Sequence, residues 1–262
     1  MEWLVYLALG ALSGLLAGLF GIGGGAIIVP MLVVVFAAME FAPAQAVHIA
    51  VGTSFAAIVF TSLASLRAHQ LLGNVRWPVL RAMAPALVLG VCAGAWLASR
   101  LQGATLQRAV AVFLFVVALQ MLSRWQPPQL FAQAGRKQHV VAGGTIGWVS
   151  AFFGIGGGSL TVPYLYACAV PMRSAVATSA ACGVPIALFG ALSYAYWGGQ
   201  AGVSEAWTSG FIYWPALVGV GVASVPFAKV GARLAVRLPD AVLRRAFGCL
   251  LLMVASYLFI AS

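Results

Sequence analysis

Apolar residues run along the chain in long blocks with few polar interruptions, near 3–20, 26–38, 46–67, 78–100 and 106–123. A polar connector follows at 124–138, holding Arg124, Pro127, Pro128, Arg136 and Lys137. The series resumes near 139–153, 159–170, 174–197, 211–230 and 242–261. A bilayer core about 30 Å thick takes roughly 20 apolar residues per helix. The pattern therefore predicts an all-α integral membrane protein with five segments, a linker and five more, eight to ten in total. The second block of each set is too short to span easily and reads as a broken helix or one arm of a re-entrant hairpin. Trp3, Trp77, Trp125, Trp197 and Trp207 fall at block ends, where interfacial aromatic belts form.

The two sets resemble each other. Residues 14–32 (GLLAGLFGIGGGAIIVPML) and 147–165 (GWVSAFFGIGGGSLTVPYL) are identical at ten of nineteen positions. Ala50-Val51-Gly52-Thr53-Ser54 recurs as Ala175-Val176-Ala177-Thr178-Ser179. Residues 94–110 and 231–247 match at ten of seventeen positions. Three matches in one order indicate a duplication: a first repeat over 1–124, a cytoplasmic linker over 125–138 and a second repeat over 139–262.

Composition agrees with lipid as the main solvent: 63% hydrophobic, 7% charged, mean hydropathy +1.04. A soluble domain carries about 25% charged residues. The start, Met1-Glu2-Trp3 followed by apolar residues, lacks a basic region and a cleavage site, so a retained first segment is expected. The net charge of +10 does not indicate nucleic acid, because no basic run interleaves with aromatics. It orients the repeats instead. The loop at 68–77 is flanked or filled by Arg67, Arg76 and Arg81, whereas its counterpart at 198–210 has no Arg or Lys and holds Glu205. Matched loops on opposite sides mean inverted repeats. That arrangement puts 12 of the 14 Lys and Arg residues on the cytoplasmic side, all but Arg100 and Arg108.

Candidate chemistry concentrates at the doubled glycine run. Gly21, Gly23, Gly24 and Gly25 recur as Gly154, Gly156, Gly157 and Gly158. Each glycine costs about 1 kcal/mol in a helix relative to alanine, so four in five positions should break it. Backbone freed at membrane depth is tolerable only inside protein or along a watery cavity. The helix restarting near Ala26 or Ser159 offers N–H groups and a positive dipole end that suit an anion. Pro30 and Pro163 leave the carbonyls of Ala26 and Ser159 free beside each break. The alternative is close helix packing by small residues. Thr53 stands near middepth, about 10 Å into its block at 1.5 Å per residue, and the hydroxyls of Thr53, Ser54, Thr178 and Ser179 read as donors to a solute or to their own helix. His48 and Arg173 each precede a threonine by five residues. They read as electropositive mouths or gating positions, or as an interfacial histidine and ordinary positive-inside bias.

Only Glu2, Glu40, Glu205 and Asp240 are acidic, and all map to ends or loops. Proton and cation pathways, paired-carboxylate catalysis and metal chemistry lack their residues. Cys92, Cys168, Cys182 and Cys249 form no C-x-x-C pair and read as small hydrophobes. The expected partners are the lipid bilayer and a small anionic or neutral polar solute, with no cofactor, metal or nucleic acid.

The run F-G-I-G-G-G-x-x-x-V-P, present twice and each time followed by A-V-[GA]-T-S, resembles the sulfite exporter TauE/SafE family, also called the sulfonate uptake permease family. The resemblance covers nearly the whole chain. It implies a multi-pass transporter of the bacterial inner membrane, exporting sulfur-containing anions such as sulfite, sulfonates or sulfoacetate. Its motif falls on Gly21, Gly23, Gly24, Gly25, Pro30, Thr53 and Ser54, and on Gly154, Gly156, Gly157, Gly158, Pro163, Thr178 and Ser179. One departure is Gln45-Ala46-Val47 where the second copy has Val170-Pro171-Met172. A carrier working by alternating access is the leading expectation; a passive anion channel and a membrane enzyme are the alternatives.

Overall fold

In the computed structural model, which describes residues 2–20, 25–71, 73–123, 134–203, 205–235 and 240–260, ten helices occupy the ten apolar blocks. The first repeat supplies α1 (Glu2–Phe20), α2 (Gly25–Ala38), α3 (Ala46–Leu71), α4 (Trp77–Ala98) and α5 (Gly103–Leu122). The second supplies α6 (Arg136–Phe153), α7 (Gly158–Ala167), α8 (Met172–Gln200), α9 (Trp214–Ala235) and α10 (Asp240–Ile260). Four of them, α3, α4, α5 and α8, are each long and apolar enough to cross a bilayer alone. By contrast α2, with 14 residues, and α7, with 10, rise only about 21 and 15 Å, short of a hydrocarbon core.

Local chemistry sets the helix starts. Both α4 and α9 open on Trp-Pro, where proline's missing N–H and fixed φ cost nothing. The helix α8 starts directly after Pro171, while α3 starts from a turn in which Gln45 N–H bonds the Ala42 carbonyl. Helix α6 begins at Arg136, inside the stretch expected as linker. There the Gln138 side chain reaches back to the Gly135 N–H at 3.0 Å, half of a capping box. A hairpin was not foreseen either: β1 (Thr208–Ser209) and β2 (Ile212–Tyr213) pair antiparallel around Gly210, whose φ of 58° suits glycine. Residues 211–213, expected as the start of a membrane segment, thus belong to a small plug. Phe211 and Tyr213 are buried in it against α3 and α8.

Helix partners exchange between the repeats. The pair α1·α9 has its counterpart in α4·α6, and α3·α8 and α5·α10 each join equivalent helices. Contacts along each pair give its direction. In α1·α9, Gly10 meets Val220 and Gly14 meets Ser224, so the helices run parallel. In α4·α6, Gly143 meets Met83 and Gly147 meets Leu87, again parallel. In α3·α8, Gly52 meets Tyr194, Phe55 meets Gly190 and Ser62 meets Gly183, so these equivalent helices run antiparallel. The α5·α10 pair is antiparallel too: the Gln107 amide bonds the Leu258 carbonyl at 2.9 Å, and Leu122 meets Gly248.

Close approach at glycine holds the parallel pairs. A Cβ on Gly10 would stand 2.8 Å from Val220 Cα, and one on Gly94 would stand 2.6 Å from the Trp148 carbonyl oxygen. Lipid gives helices no hydrophobic reason to associate, so backbone-to-backbone packing at small residues supplies the attraction. The centre is α3 and α8, whose facing side chains are buried. Outward residues such as Leu89, Val116, Val141, Val222 and Met253 present a bare apolar surface suited to acyl chains.

Candidate functional site

The second glycine run breaks the helix as its composition predicts. Helix α6 ends at Gly154 (φ 60°, ψ 36°), and α7 starts from Gly157 (φ 78°), both in the left-handed region open to glycine. Two bonds reach into the gap, both to one oxygen: Gly154 N–H reaches the Ser150 carbonyl, and Ile155 N–H reaches it at 3.4 Å. The α7 first turn closes when Leu160 and Thr161 N–H bond the Gly157 carbonyl. The N–H groups of Gly156, Gly157, Gly158 and Ser159 have no backbone acceptor among the described residues. Four adjacent donors at a helix N-terminus form a place for negative charge.

The start of α2 comes to this break from the other repeat. A Cβ on Gly25 would stand 2.6 Å from the Gly154 carbonyl oxygen and 3.0 Å from Ile155 Cα. The Ser54 hydroxyl donates to the Gly154 carbonyl at 2.9 Å. Val29, Val51 and Ile58 close the contact, and Gly183 of α8 packs under the Gly156 carbonyl. In the first run, Gly21, Gly23 and Gly24 lie outside the described residues, but α1 ends and α2 begins on either side of them.

Hydroxyls crowd the second break. On the helix ends flanking it, the Oγ atoms of Ser150 and Ser159 and the Thr161 Oγ1 are buried without a hydrogen-bond partner among the described residues; so is the Ser179 Oγ, on α8. A buried hydroxyl left unpaired costs about 1–3 kcal/mol, so these oxygens are polar groups able to hydrogen-bond a solute at the break. Sequence reasoning named Ser159 and Ser179 and missed Ser150 and Thr161. The detectable signal was hydroxyls inside an otherwise apolar stretch flanking the run. The first repeat has Ala17, Ala26 and Ile28 at the positions of Ser150, Ser159 and Thr161, so the polar character belongs to one break.

The two threonines are engaged across the repeats. Thr53 Oγ1 accepts the Tyr213 N–H at 3.0 Å, and Thr178 Oγ1 accepts the Arg76 N–H at 3.0 Å. Tyr213 and Arg76 each precede a Trp-Pro helix start, so the two bonds are equivalent. Pro30 and Pro163 sit inside α2 and α7, withholding a donor from the Ala26 and Ser159 carbonyls.

His48 and Arg173 fall at opposite ends of the antiparallel α3·α8 pair, in unlike settings. His48 is buried, donates from Nε2 to the Ala98 carbonyl at 3.1 Å, and stacks on Phe211 with ring centroids 5.0 Å apart. Arg173 is exposed. The hairpin therefore covers the histidine, while the arginine stands in the open.

A profile of the family described as Sulfite exporter TauE/SafE matches residues 6–258. A probable membrane transporter protein of Haemophilus influenzae is 34% identical over 258 residues, 98% of each chain. One of Methanocaldococcus jannaschii is 29% identical, covering 85% of this chain and 78% of its own. Another, of Bacillus subtilis, is 27% identical over 90% of this chain and 91% of its own. No solved structure matches.

Proposed function

This chain belongs to the sulfite exporter TauE/SafE family, and we propose that it is a secondary transporter of small sulfur-containing anions such as sulfite, sulfonates or sulfoacetate. It is a multi-pass membrane protein of a transporter family; the bacterial inner membrane and the export direction follow the family resemblance. The observation that carries the substrate class is the second helix break. There, four N–H groups without backbone acceptors adjoin the buried hydroxyls of Ser150, Ser159 and Thr161. Donors without a nearby carboxylate favour an anion over a cation: Glu40 and Glu205 are exposed in loops.

Inverted repeats are part of the proposal. Two equivalent helices in contact run parallel when a two-fold axis lies along the membrane normal, and antiparallel when it lies in the membrane plane. The antiparallel α3·α8 and α5·α10 pairs support the second case, as does the contrast between the arginine-rich 68–77 loop and the 198–210 loop. Reporter fusions at Gly73 and Gly202, both in open space, are expected to show opposite sidedness. Equal sidedness would sink the inverted arrangement.

Alternating access then moves the break between the two faces. The test is flux in proteoliposomes over a panel of sulfite, sulfate, methanesulfonate, sulfoacetate and acetate. Saturable flux for at least one sulfur oxyanion, stronger than for acetate, is expected. Flat responses to every anion would overturn the substrate class, and unsaturable conductance would make the protein a channel.

A further inference from the structure

Helices α4 and α6 run parallel, so their N-terminal ends share one end of the pair. Between these ends lies a cavity of about 450 Å³, lined by Pro78, Val79, Arg81 and Ala82 of α4 and by Arg136 and His139 of α6. Half of that lining is cationic or capable of donating. Neither arginine has an ion-pair partner among the described residues. Two guanidinium groups around one cavity repel each other, and an anion between them reverses the sign of that interaction.

His139 completes the arrangement. Its Nδ1 lies 2.9 Å from the Tyr164 hydroxyl of α7. The Tyr164 hydroxyl also pairs with the Cys168 thiol, so the ring proton sits on Nε2 when the hydroxyl donates to Nδ1 and on Nδ1 when it donates to Cys168; Nε2 has no partner among the described residues, and an oxyanion beside it selects the first form. The first turns of two helices add their positive dipole ends. The planar fork of arginine suits an oxyanion with several acceptor oxygens, because it donates two parallel bonds.

The duplication does not impose this character. At the equivalent α1·α9 end, Val218 stands for Arg81, Trp3 for Arg136 and Tyr6 for His139. Tyr6 there is buried against Tyr213, with ring centroids 5.8 Å apart. One end of the molecule is cationic around a cavity, and its counterpart carries apolar and aromatic residues in the same places. The cavity is also distinct from the helix break, since about 22 Å of helix rise separates His139 from Gly154.

The geometry points to a second anion site: the α4·α6 cavity binds an oxyanion group, held by Arg81 and Arg136 with His139 Nε2 as the third donor. That chemistry fits both a free small oxyanion and the phosphate of an anionic lipid headgroup. The test uses the full chain in neutral detergent. Sodium sulfate is titrated against the wild type, the R81Q/R136Q double variant and H139Q, with melting temperature as the readout. Sodium chloride at matched ionic strength is the blank. In a second arm, wild type and double variant are released from nanodiscs of phosphatidylglycerol or phosphatidylcholine, and retained lipid is counted by native mass spectrometry.

A saturable rise in Tm with sulfate is expected, with apparent affinity about ten-fold or more weaker in the double variant and weakened less in H139Q. Loss of the sulfate response alone assigns the site to a free anion. Loss of selective phosphatidylglycerol retention assigns it to a headgroup. Both arginines are exposed, so neither replacement disturbs the core. Equal sulfate response and equal lipid retention in wild type and double variant would overturn the site. Sulfate bound at the helix break would raise Tm in wild type and double variant alike, so only the part of the response lost with the two arginines is assigned to this cavity, whether or not the chain carries sulfur anions.

Discussion

Leucine at Gly154 is expected to lower anion flux by at least about two orders of magnitude while the protein still inserts in the membrane. Three effects act together. At φ 60° a side chain costs about 1–2 kcal/mol. A Cβ there would stand 2.7 Å from Val29 Cγ2 and 3.2 Å from Val51 Cα, so the Val29 side chain and the α3 backbone must both give way. The shifted carbonyl also leaves Ser54, whose bond is worth about 1 kcal/mol. Alanine at Gly157 is a milder case. Its φ is also left-handed, but the nearest atom is the flexible Ile186 Cδ1 at 2.6 Å, so a roughly ten-fold loss is expected. Leucine at Gly221, with nothing within 4 Å, is the control and should transport normally. Near-normal flux in the Gly154 variant would return the glycine run to a packing role.

Alanine at Gly147 is the second large effect, on stability. The added methyl would press into the Leu87 carbonyl and stand 3.0 Å from the Leu87 carbonyl carbon and the Val91 nitrogen. These are backbone atoms of a packed helix and cannot rotate away. Overpacking of this kind costs about 1–3 kcal/mol, here in the pair that joins α4 to α6. Alanine at Gly144, three residues earlier, meets only the Ala86 carbonyl oxygen at 4.0 Å. Thermal unfolding in detergent should therefore show a fall of several degrees for Gly147→Ala and little change for Gly144→Ala. Equal melting temperatures would mean that this close approach contributes nothing to the pair.

The contrast between these variants marks what the sequence makes legible. The ten helices follow from apolar blocks, because lipid demands that every backbone group be bonded within its own segment. The break at Gly154–Gly158 follows from glycine chemistry, which is local. The partners of Thr53 and Thr178 were not legible, since each lies more than 100 residues away across the repeat boundary. Ser150 and Thr161 were missed for a different reason: a hydroxyl in an apolar run usually bonds its own helix, and only the three-dimensional neighbourhood shows that these do not. The plug around Phe211 was hidden because its hydrophobicity merges with that of the following helix.

The exchange of partners between repeats has a consequence for the order of synthesis. Helix α1 ends at Phe20, and its partner α9 begins only at Trp214. About 190 residues must be made in between, on the order of 10–40 s at 5–20 residues per second. For that interval the Gly10 and Gly14 face has no mate from its own chain, and neither threonine pin can close until the second repeat emerges, because Arg76 waits for Thr178 and Thr53 waits for Tyr213. The first five helices thus enter the bilayer as an unfinished half whose contact surfaces are temporarily served by lipid or by the insertion machinery. Assembly is a late, collective event, completed when the last third of the chain arrives.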